Sequence, residues 1–520
     1  MHSTISQTLG HGFDEPARPA RTCRTRTRSQ ADQAQPPQLA KQASSADPDE
    51  PPDSGPGARA AVTPALRRLG EAHFWPHAHM AGDLSSPDGV KIITRGSGVW
   101  VYDDKGRRYL DTLSGMWLSN IGHGRREIAD AVCAQIGELG YAPDGTVHPA
   151  TLRLAARVAA LAPDPASRVF FVSGGSEGVE TAMKMAKKFH RNRGEAGRYK
   201  FISRRGSYHG ATHGSLSLGG GGGNNGAEYG PLPYGGVRVP GPDQYRNPFD
   251  GCAGSMTGKG DIECAREIER AILNEGPDTV AAVIGEPISA SAGVHIPHPE
   301  YWPMVREICD RYGVLLICDE VITGFGRTGR MFATEHWGIV PDITVVAKAL
   351  TSGYAPIGAA IATKRVADAF IGPASSTFNH RITFGGNPVS CAAGLANLNV
   401  LEREGLVSNA ERMGDYLFDR LHELYRHDIV GQVRGGLGLI CAVEIVADRT
   451  TREPFPKEAR LAQRATLLME QHGLLGRAGN VFFVAPPLSV TRGEIDFIVS
   501  QLDAVIAELQ AGLLTKGHAA

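Results

Sequence analysis

Short apolar runs rich in β-branched residues recur through the middle of the chain, separated by stretches whose apolar positions repeat at helical spacing. The runs are Val169–Val172, Phe201–Ile202, Val280–Ile284, Val314–Cys318, Ile343–Ala347 and Ala359–Ile361. Continuous apolar runs predict strands buried on both faces, and their alternation with helices predicts an α/β fold around a mostly parallel sheet. Beyond Asn387-Pro388 the pattern changes. A helical stretch leads through Arg434-Gly435-Gly436-Leu437-Gly438 into a run over Leu439–Val446, then to a helix and a turn at Pro486-Pro487. This mixture predicts a smaller α+β domain. Residues 1–62 hold few large apolar side chains and much Pro, Ala, Gln, Ser, Asp and Arg, a composition that predicts a disordered extension. The expected division is therefore a tail over 1–62, a segment over 63–110 packing with the small domain, a large domain over 111–395 and a small domain over 396–520.

Two of the buried-looking runs end in charge. Val314–Cys318 is followed by Asp319, and Ile343–Ala347 by Lys348. In open α/β sheets the carboxyl ends of the strands border the ligand crevice, so both charges are expected to point there. An amine and a carboxylate aimed into one crevice suit a carbonyl cofactor. The lysine would hold it as a Schiff base while the carboxylate keeps a ring nitrogen protonated, which is the arrangement pyridoxal phosphate requires.

A phosphate would need a third element. Val169–Val172 runs into Ser173-Gly174-Gly175-Ser176-Glu177-Gly178 and then into a helix with Val179, Ala182, Met183, Ala186 and Phe189 on one face. Backbone N–H groups at that helix start, its dipole and the Ser176 hydroxyl would cradle a phosphate. Two other readings stay open at this point: a plain tight turn, and the nucleophile elbow of a serine hydrolase, because Gly174-x-Ser176-x-Gly178 fits that motif as well. Gly324-x-Gly326-x-x-Gly329 has the spacing of a dinucleotide fingerprint but does not open a helix directly after a strand, so it is not read as one. Tyr208-His209 follows Phe201–Ile202 and could lay a ring against a flat cofactor, although such a pair is more often core or rim. The run Gly219–Gly223 with Asn224 and Asn225 lacks the lysine of a P-loop and reads as a surface loop. His73, His77 and His79 flank Trp75-Pro76, and the proline keeps them from sharing one helix face as metal ligands.

Composition removes several classes of function. The 520 residues carry a formal net charge of −1, with 42% hydrophobic and 21% charged residues. No Lys/Arg-rich stripe runs through the body of the chain, which excludes an evident nucleic-acid or anionic-membrane surface. A cluster of five arginines at Arg18, Arg21, Arg24, Arg26 and Arg28 is interrupted as a transit signal by Asp14 and Glu15, and reads as a solvated tail. Eight scattered cysteines without a C-x-x-C pair predict a reducing, cytoplasmic setting.

Taken together, Asp319–Gly329 and Lys348 resemble the signature of class III aminotransferases, the ω-aminotransferase group of fold-type I pyridoxal phosphate enzymes. The resemblance extends from about residue 65 onward through Ser114-Gly115-Met116-Trp117, Gly175-Ser176-Glu177, Tyr208-His209-Gly210, Gly285-Glu286-Pro287, Thr383–Pro388 and Arg434-Gly435. It implies that Lys348 carries the cofactor and that Asp319 pairs with the pyridine nitrogen. Val321 and Tyr208 would sandwich the ring, with His209 and Glu286 also in contact. Gly175 and Ser176 would hold the phosphate, and Thr383 would reach a phosphate across the interface of a homodimer. Arg477, before Pro486-Pro487, would recognise the acceptor's carboxylate, while Trp117 and Trp75 beside Phe74 would line an apolar donor pocket. The chain departs from the usual pattern at Gly178-Val179, after Arg434, and in a 477–486 segment about one residue short, and these departures leave substrate preference open.

The implied reaction is ping-pong transfer of an amino group from an ω-amino acid or primary amine to a keto acid, with pyruvate the expected acceptor. A 2-oxoglutarate-dependent aminotransferase, an aminomutase and a decarboxylating transaminase are alternatives with the same cofactor. A serine hydrolase using Ser176 and a non-catalytic scaffold are alternatives from other classes.

Overall fold

The computed structural model describes residues 62–77, 89–219, 226–243, 245–249 and 259–514. The expected tail up to residue 61, His79, and the glycine and asparagine run over 220–225 lie outside them. Residues 61–520 form one compact unit.

The chain enters a first sheet through strands β1 (Ile93–Ser97), β2 (Trp100–Asp103) and β3 (Arg108–Asp111). The central sheet follows with β4 (Arg168–Val172), β5 (Lys200–Arg204), β6 (Gly236–Val239), β7 (Val280–Gly285), β8 (Leu315–Asp319), β9 (Ile343–Val346) and β10 (Gly358–Ala362). The C-terminal part supplies β11 (Val430–Arg434), β12 (Cys441–Ile445), β13 (Leu474–Leu475) and β14 (Val481–Val484). Central strand order is β4-β10-β9-β8-β7-β5-β6. Every pair from β9 outward to β6 is parallel, as the apolar runs predict. β10 instead runs antiparallel to both β4 and β9. The cause lies in the connection: a short link without a long helix joins β9 to β10, and such a link returns a chain antiparallel, whereas a parallel crossover needs a longer path. β6 was not expected from the sequence, because this edge strand is only half-buried and has no continuous apolar run.

Burial explains why the inner strands read so clearly. Every residue of β7, β8, β9 and β10 is buried. The Gly175–Asn192 helix covers them with the predicted face, Val179, Ala182, Met183, Ala186 and Phe189. Gly178 allows the closest approach: a Cβ there would lie 2.8 Å from Val345 Cγ1.

The first sheet meets the C-terminal part. β13 pairs with β3, setting Leu474 opposite Leu110, and the Trp100 ring packs on Phe497 at 5.4 Å. The sheet β11-β12-β14 lies under the Leu406–Leu421 and Arg492–Leu514 helices. No helix among the described residues is long and apolar enough to cross a membrane.

Candidate active site

Adjacent strands deliver the two predicted charges. In the β8–β9 ladder Asp319 lies opposite Val345, so the acid that ends β8 and the lysine three residues past Val345 emerge at the same end of the sheet. Lys348 stands in the left-handed region, φ 41°, where the strand gives way to a tight turn over Lys348–Leu350. A non-glycine residue there costs about 1–3 kcal/mol and persists only where its surroundings hold it.

Both residues line one cavity of about 140 Å³. Gly175, Ser176, Tyr208, His209, Glu286 and Val321, named from the sequence, line it too. So do Met116, Gly210, Ile288, Ile322 and Thr323, to which the sequence reading gave no role. Met116 and the two isoleucines are generic apolar residues with no local signal of a site.

Asp319 is held in place from two sides. Its Oδ2 lies 2.8 Å from His209 Nδ1, and its Oδ1 accepts the Val321 N–H at 3.1 Å. Glu286 accepts N–H groups from Tyr208 at 3.2 Å and Ala290 at 3.3 Å. Burial raises the Glu286 carboxyl above the usual carboxylate range, against the opposing pull of His209 and Arg204. For Lys348, burial lowers the amine to about 8, and the nearby Asp319 and Glu286 carboxylates only partly restore it. A lysine so depressed is largely uncharged just above pH 8, as a nucleophile or proton carrier requires.

At the other end of the cavity the Gly175–Asn192 helix begins without a side-chain cap. Its first N–H groups and dipole therefore remain available for an anion. Ser176 Oγ accepts the Ala211 N–H at 3.1 Å, which leaves the hydroxyl proton free to donate. Gly210 makes this approach possible: its φ is +137°, and a Cβ would fall 2.5 Å from both Ser176 Oγ and Ser215 Oγ.

Trp117 closes the lysine side. The Lys348 amine is 5.6 Å from its ring centroid, and Phe483 meets the same ring edge-on at 5.4 Å. The Arg477 guanidinium lies 5.6 Å from the Phe483 ring. An aromatic lane thus runs from the amine to an exposed arginine that has no ion-pair partner among the described residues. Ser114 (φ 49°) and Trp117 (φ 56°) are both left-handed. Their segment is secured by Asp111, which accepts the Leu113 and Gly115 N–H groups at 3.1 and 2.6 Å.

Arg327, inside the glycine-rich loop, was quoted in the signature but given no role. It is fully buried and donates to the Leu439 and Pro486 carbonyls at 3.0 and 2.6 Å, to Ser114 Oγ at 3.0 Å and to Asn120 Oδ1. Burial lowers it to about 9, still charged at neutral pH. The loop around it is therefore a clamp between the Trp117 segment and the C-terminal sheet, and no dinucleotide site.

Four sequence-named residues lie outside the cavity lining, and one of them, Trp117, is buried in the core beside the lysine. Thr383 lines a separate cavity of about 670 Å³, with its carbonyl accepting the Tyr141 hydroxyl at 2.9 Å. Trp75 is 89% exposed and contributes nothing to the lysine cavity of this chain. Arg477 lies at the outer end of the aromatic lane rather than in the cavity lining. Among the described residues no cluster of His, Cys, Asp and Glu could hold a metal.

The hydrolase alternative fails on geometry. A Ser-His-Asp arrangement would need His209 Nε2 on Ser176 Oγ, but that nitrogen is buried with no hydrogen-bond partner. Pyridoxal phosphate fits the same residues better: an amine for its aldehyde, a carboxylate for its ring nitrogen, and an uncapped helix start with Ser176 for its phosphate.

Fold and site together define a fold-type I pyridoxal phosphate transferase. The model of the family described as aminotransferase class-III matches residues 85–506, and the chain belongs to that family: it is an aminotransferase that uses pyridoxal phosphate. It is 42% identical over 463 residues to a probable aminotransferase of Mycobacterium tuberculosis, covering 85% of this chain and 95% of that one. A taurine–pyruvate aminotransferase of Bilophila wadsworthia is 36% identical over 456 residues, covering 86% and 97%. The solved structure of an amine transaminase from an uncultivated Pseudomonas species, in its PLP-bound form, superposes with a TM-score of 0.78 at 39% identity, covering 84% and 99%.

Proposed function

We propose that the chain transfers an amino group from an ω-amino acid or primary amine to a keto acid, with pyruvate as acceptor, in a homodimer with shared active sites. The observation that carries this reading is the aromatic lane from Lys348 over Trp117 and Phe483 to Arg477. The buried Trp117 and Phe483 rings would make an apolar wall beside the amine that favours an uncharged amine donor, and the exposed guanidinium at its outer end would offer a bidentate partner to the carboxylate of an ω-amino acid or keto acid. The relative from Bilophila wadsworthia names pyruvate as its own acceptor.

Lys348 would carry the cofactor, which when bound supplies an electron sink for the negative charge that develops on the donor carbon. Lys348 Nζ, with its affinity for protons lowered by burial, would take the proton from the donor carbon in one half-reaction and supply a proton to the acceptor's carbon in the other. Asp319, oriented by His209 and the Val321 N–H, would stabilise a proton on the ring nitrogen. Tyr208 and Val321 would bracket the ring, Glu286 fixes the Tyr208 backbone, and Gly175 with Ser176 would bind the phosphate. Thr383 of each subunit would reach the phosphate in the other. Exposed Tyr141 and Val147 line the Thr383 cavity, exposed Phe384 meets the Tyr141 ring edge-on at 6.3 Å, and the three would supply apolar surface for that contact.

The test is a panel of amines and ω-amino acids with pyruvate and 2-oxoglutarate as acceptors, using the parent and Arg477→Ala. Turnover with pyruvate is expected. In Arg477→Ala, KM for keto acid rises about tenfold or more while the half-reaction with an apolar amine is preserved. No turnover with any amine and pyruvate contradicts the substrate reading.

A further inference from the structure

A second cavity, of about 790 Å³, lies on the outer face of the Gly175–Asn192 helix. Lys184, Lys187, Lys188 and Arg191 line it, at the i, i+3, i+4, i+7 spacing of a single helix face. Helical rise spreads these four cations over about 10 Å. Among the described residues no carboxylate lies within 4.0 Å of any of them. Of the neighbouring acids, Glu180 acts on Lys187 through space only, and its hydrogen bonds, like the ion pairs of Glu195, go to other groups. Glu195 serves His190, Arg193 and Arg198, and Glu180 accepts from Thr212 Oγ1 and the Gly214 N–H at 2.6 and 2.9 Å.

Like charges on one helix face repel, so an unmatched row is usually left to open solvent. Here the row lines a concave space, where the field of the cations is focused rather than dispersed. The rest of the lining adds neutral donors from Ser375, Thr377 and Asn379. Two of the lysines also fix that segment: Lys188 donates to the Ser375 carbonyl, and Lys184 Nζ lies 2.8 Å from His380 Nδ1. Tyr199 stands at the edge, 37% exposed, with its ring 6.2 Å from that of exposed Tyr234.

We propose that this cavity binds a small oligophosphate anion, of the nucleoside polyphosphate class. Consecutive phosphates match a row of cations spread along a helix, and the Arg191 fork can engage two oxygens of one phosphate. Hydroxyl and amide donors complete the contacts, and Tyr199 offers a stacking face to an attached base. None of these residues touches the lysine cavity, so the site is separate from the cofactor's own phosphate position.

The experiment is calorimetric titration of the full-length holoenzyme, whose cofactor site is filled, with tripolyphosphate and with ATP at constant ionic strength and without magnesium. The comparison protein is the double variant Lys187→Gln/Arg191→Gln. Saturable binding of one anion per chain is expected, weakened about tenfold or more in the variant, with transaminase turnover unchanged. Equal affinities for the two anions support the phosphate chain as the ligand. Tighter ATP binding that Tyr199→Ala reduces to the tripolyphosphate value supports a nucleotide. Absence of saturable binding, an unchanged affinity in the variant, or a variant of altered oligomeric state overturns the proposal.

Discussion

His209 Nδ1 stands 2.8 Å from Asp319 Oδ2, with both side chains buried beside the lysine cavity. Hydrogen bonds to a charged group are worth about 1.5–3 kcal/mol. In the proposed mechanism, His209→Phe is therefore expected to lower kcat/KM about tenfold or more by releasing Asp319. Asp319→Asn, which removes the charge itself, should cost about 10² or more. Steady-state kinetics with a common amine and pyruvate checks both, and an Asp319→Asn enzyme within twofold of the parent refutes the role given to Asp319.

The depressed Lys348 amine predicts a pH effect on stability. Folding lowers this group from its ordinary 10.5 to about 8, so between those values the unfolded chain binds more protons than the folded one. Stability of the cofactor-free protein must then rise with pH across that window, by roughly 3 kcal/mol from this group. Lys348→Met should lack that increment. Urea midpoints measured from pH 7.5 to 10.5 check this, and parallel curves for the two proteins contradict it.

Arg327 predicts a large structural effect away from the reacting atoms. Its guanidinium satisfies four acceptors on three separate segments. Arg327→Leu strands them in a buried site and should destabilise by about 3–5 kcal/mol. Arg327→Lys should rescue little, because one ammonium cannot span a fork of that geometry. Thermal melting of both variants decides the point.

Gly210 predicts a selective effect at the helix start. Alanine there would press on Ser176 Oγ from 2.5 Å in a backbone region that L-residues avoid. Gly210→Ala should weaken cofactor binding about tenfold or more, read by fluorescence titration of the stripped protein with pyridoxal phosphate. Unchanged affinity would show that Ser176 does not bind the phosphate.

Much of this architecture was legible because its signals were local. Buried strands read as apolar runs, and Asp319 and Lys348 stood out as charges at their ends. The glycine turn before an amphipathic helix marked the uncapped helix start whose Gly175 and Ser176 line the cavity. What stayed hidden depends on distant segments meeting. Arg327 binds carbonyls at 439 and 486, more than a hundred residues away, and Phe483 reaches Trp117 only through the fold. The antiparallel course of β10 follows from chain connection rather than composition. Trp75 illustrates the converse: an aromatic with a suitable family neighbourhood stands exposed in the single chain.

The central claim is that Lys348 carries the cofactor, and chemical trapping tests it most directly. The purified protein, loaded with pyridoxal phosphate, is reduced with borohydride, digested and mapped by mass spectrometry. The structure predicts one borohydride-stable pyridoxyl group, on Lys348, and its loss in Lys348→Ala. A stable adduct on another lysine of the parent protein, or none at all, would contradict it.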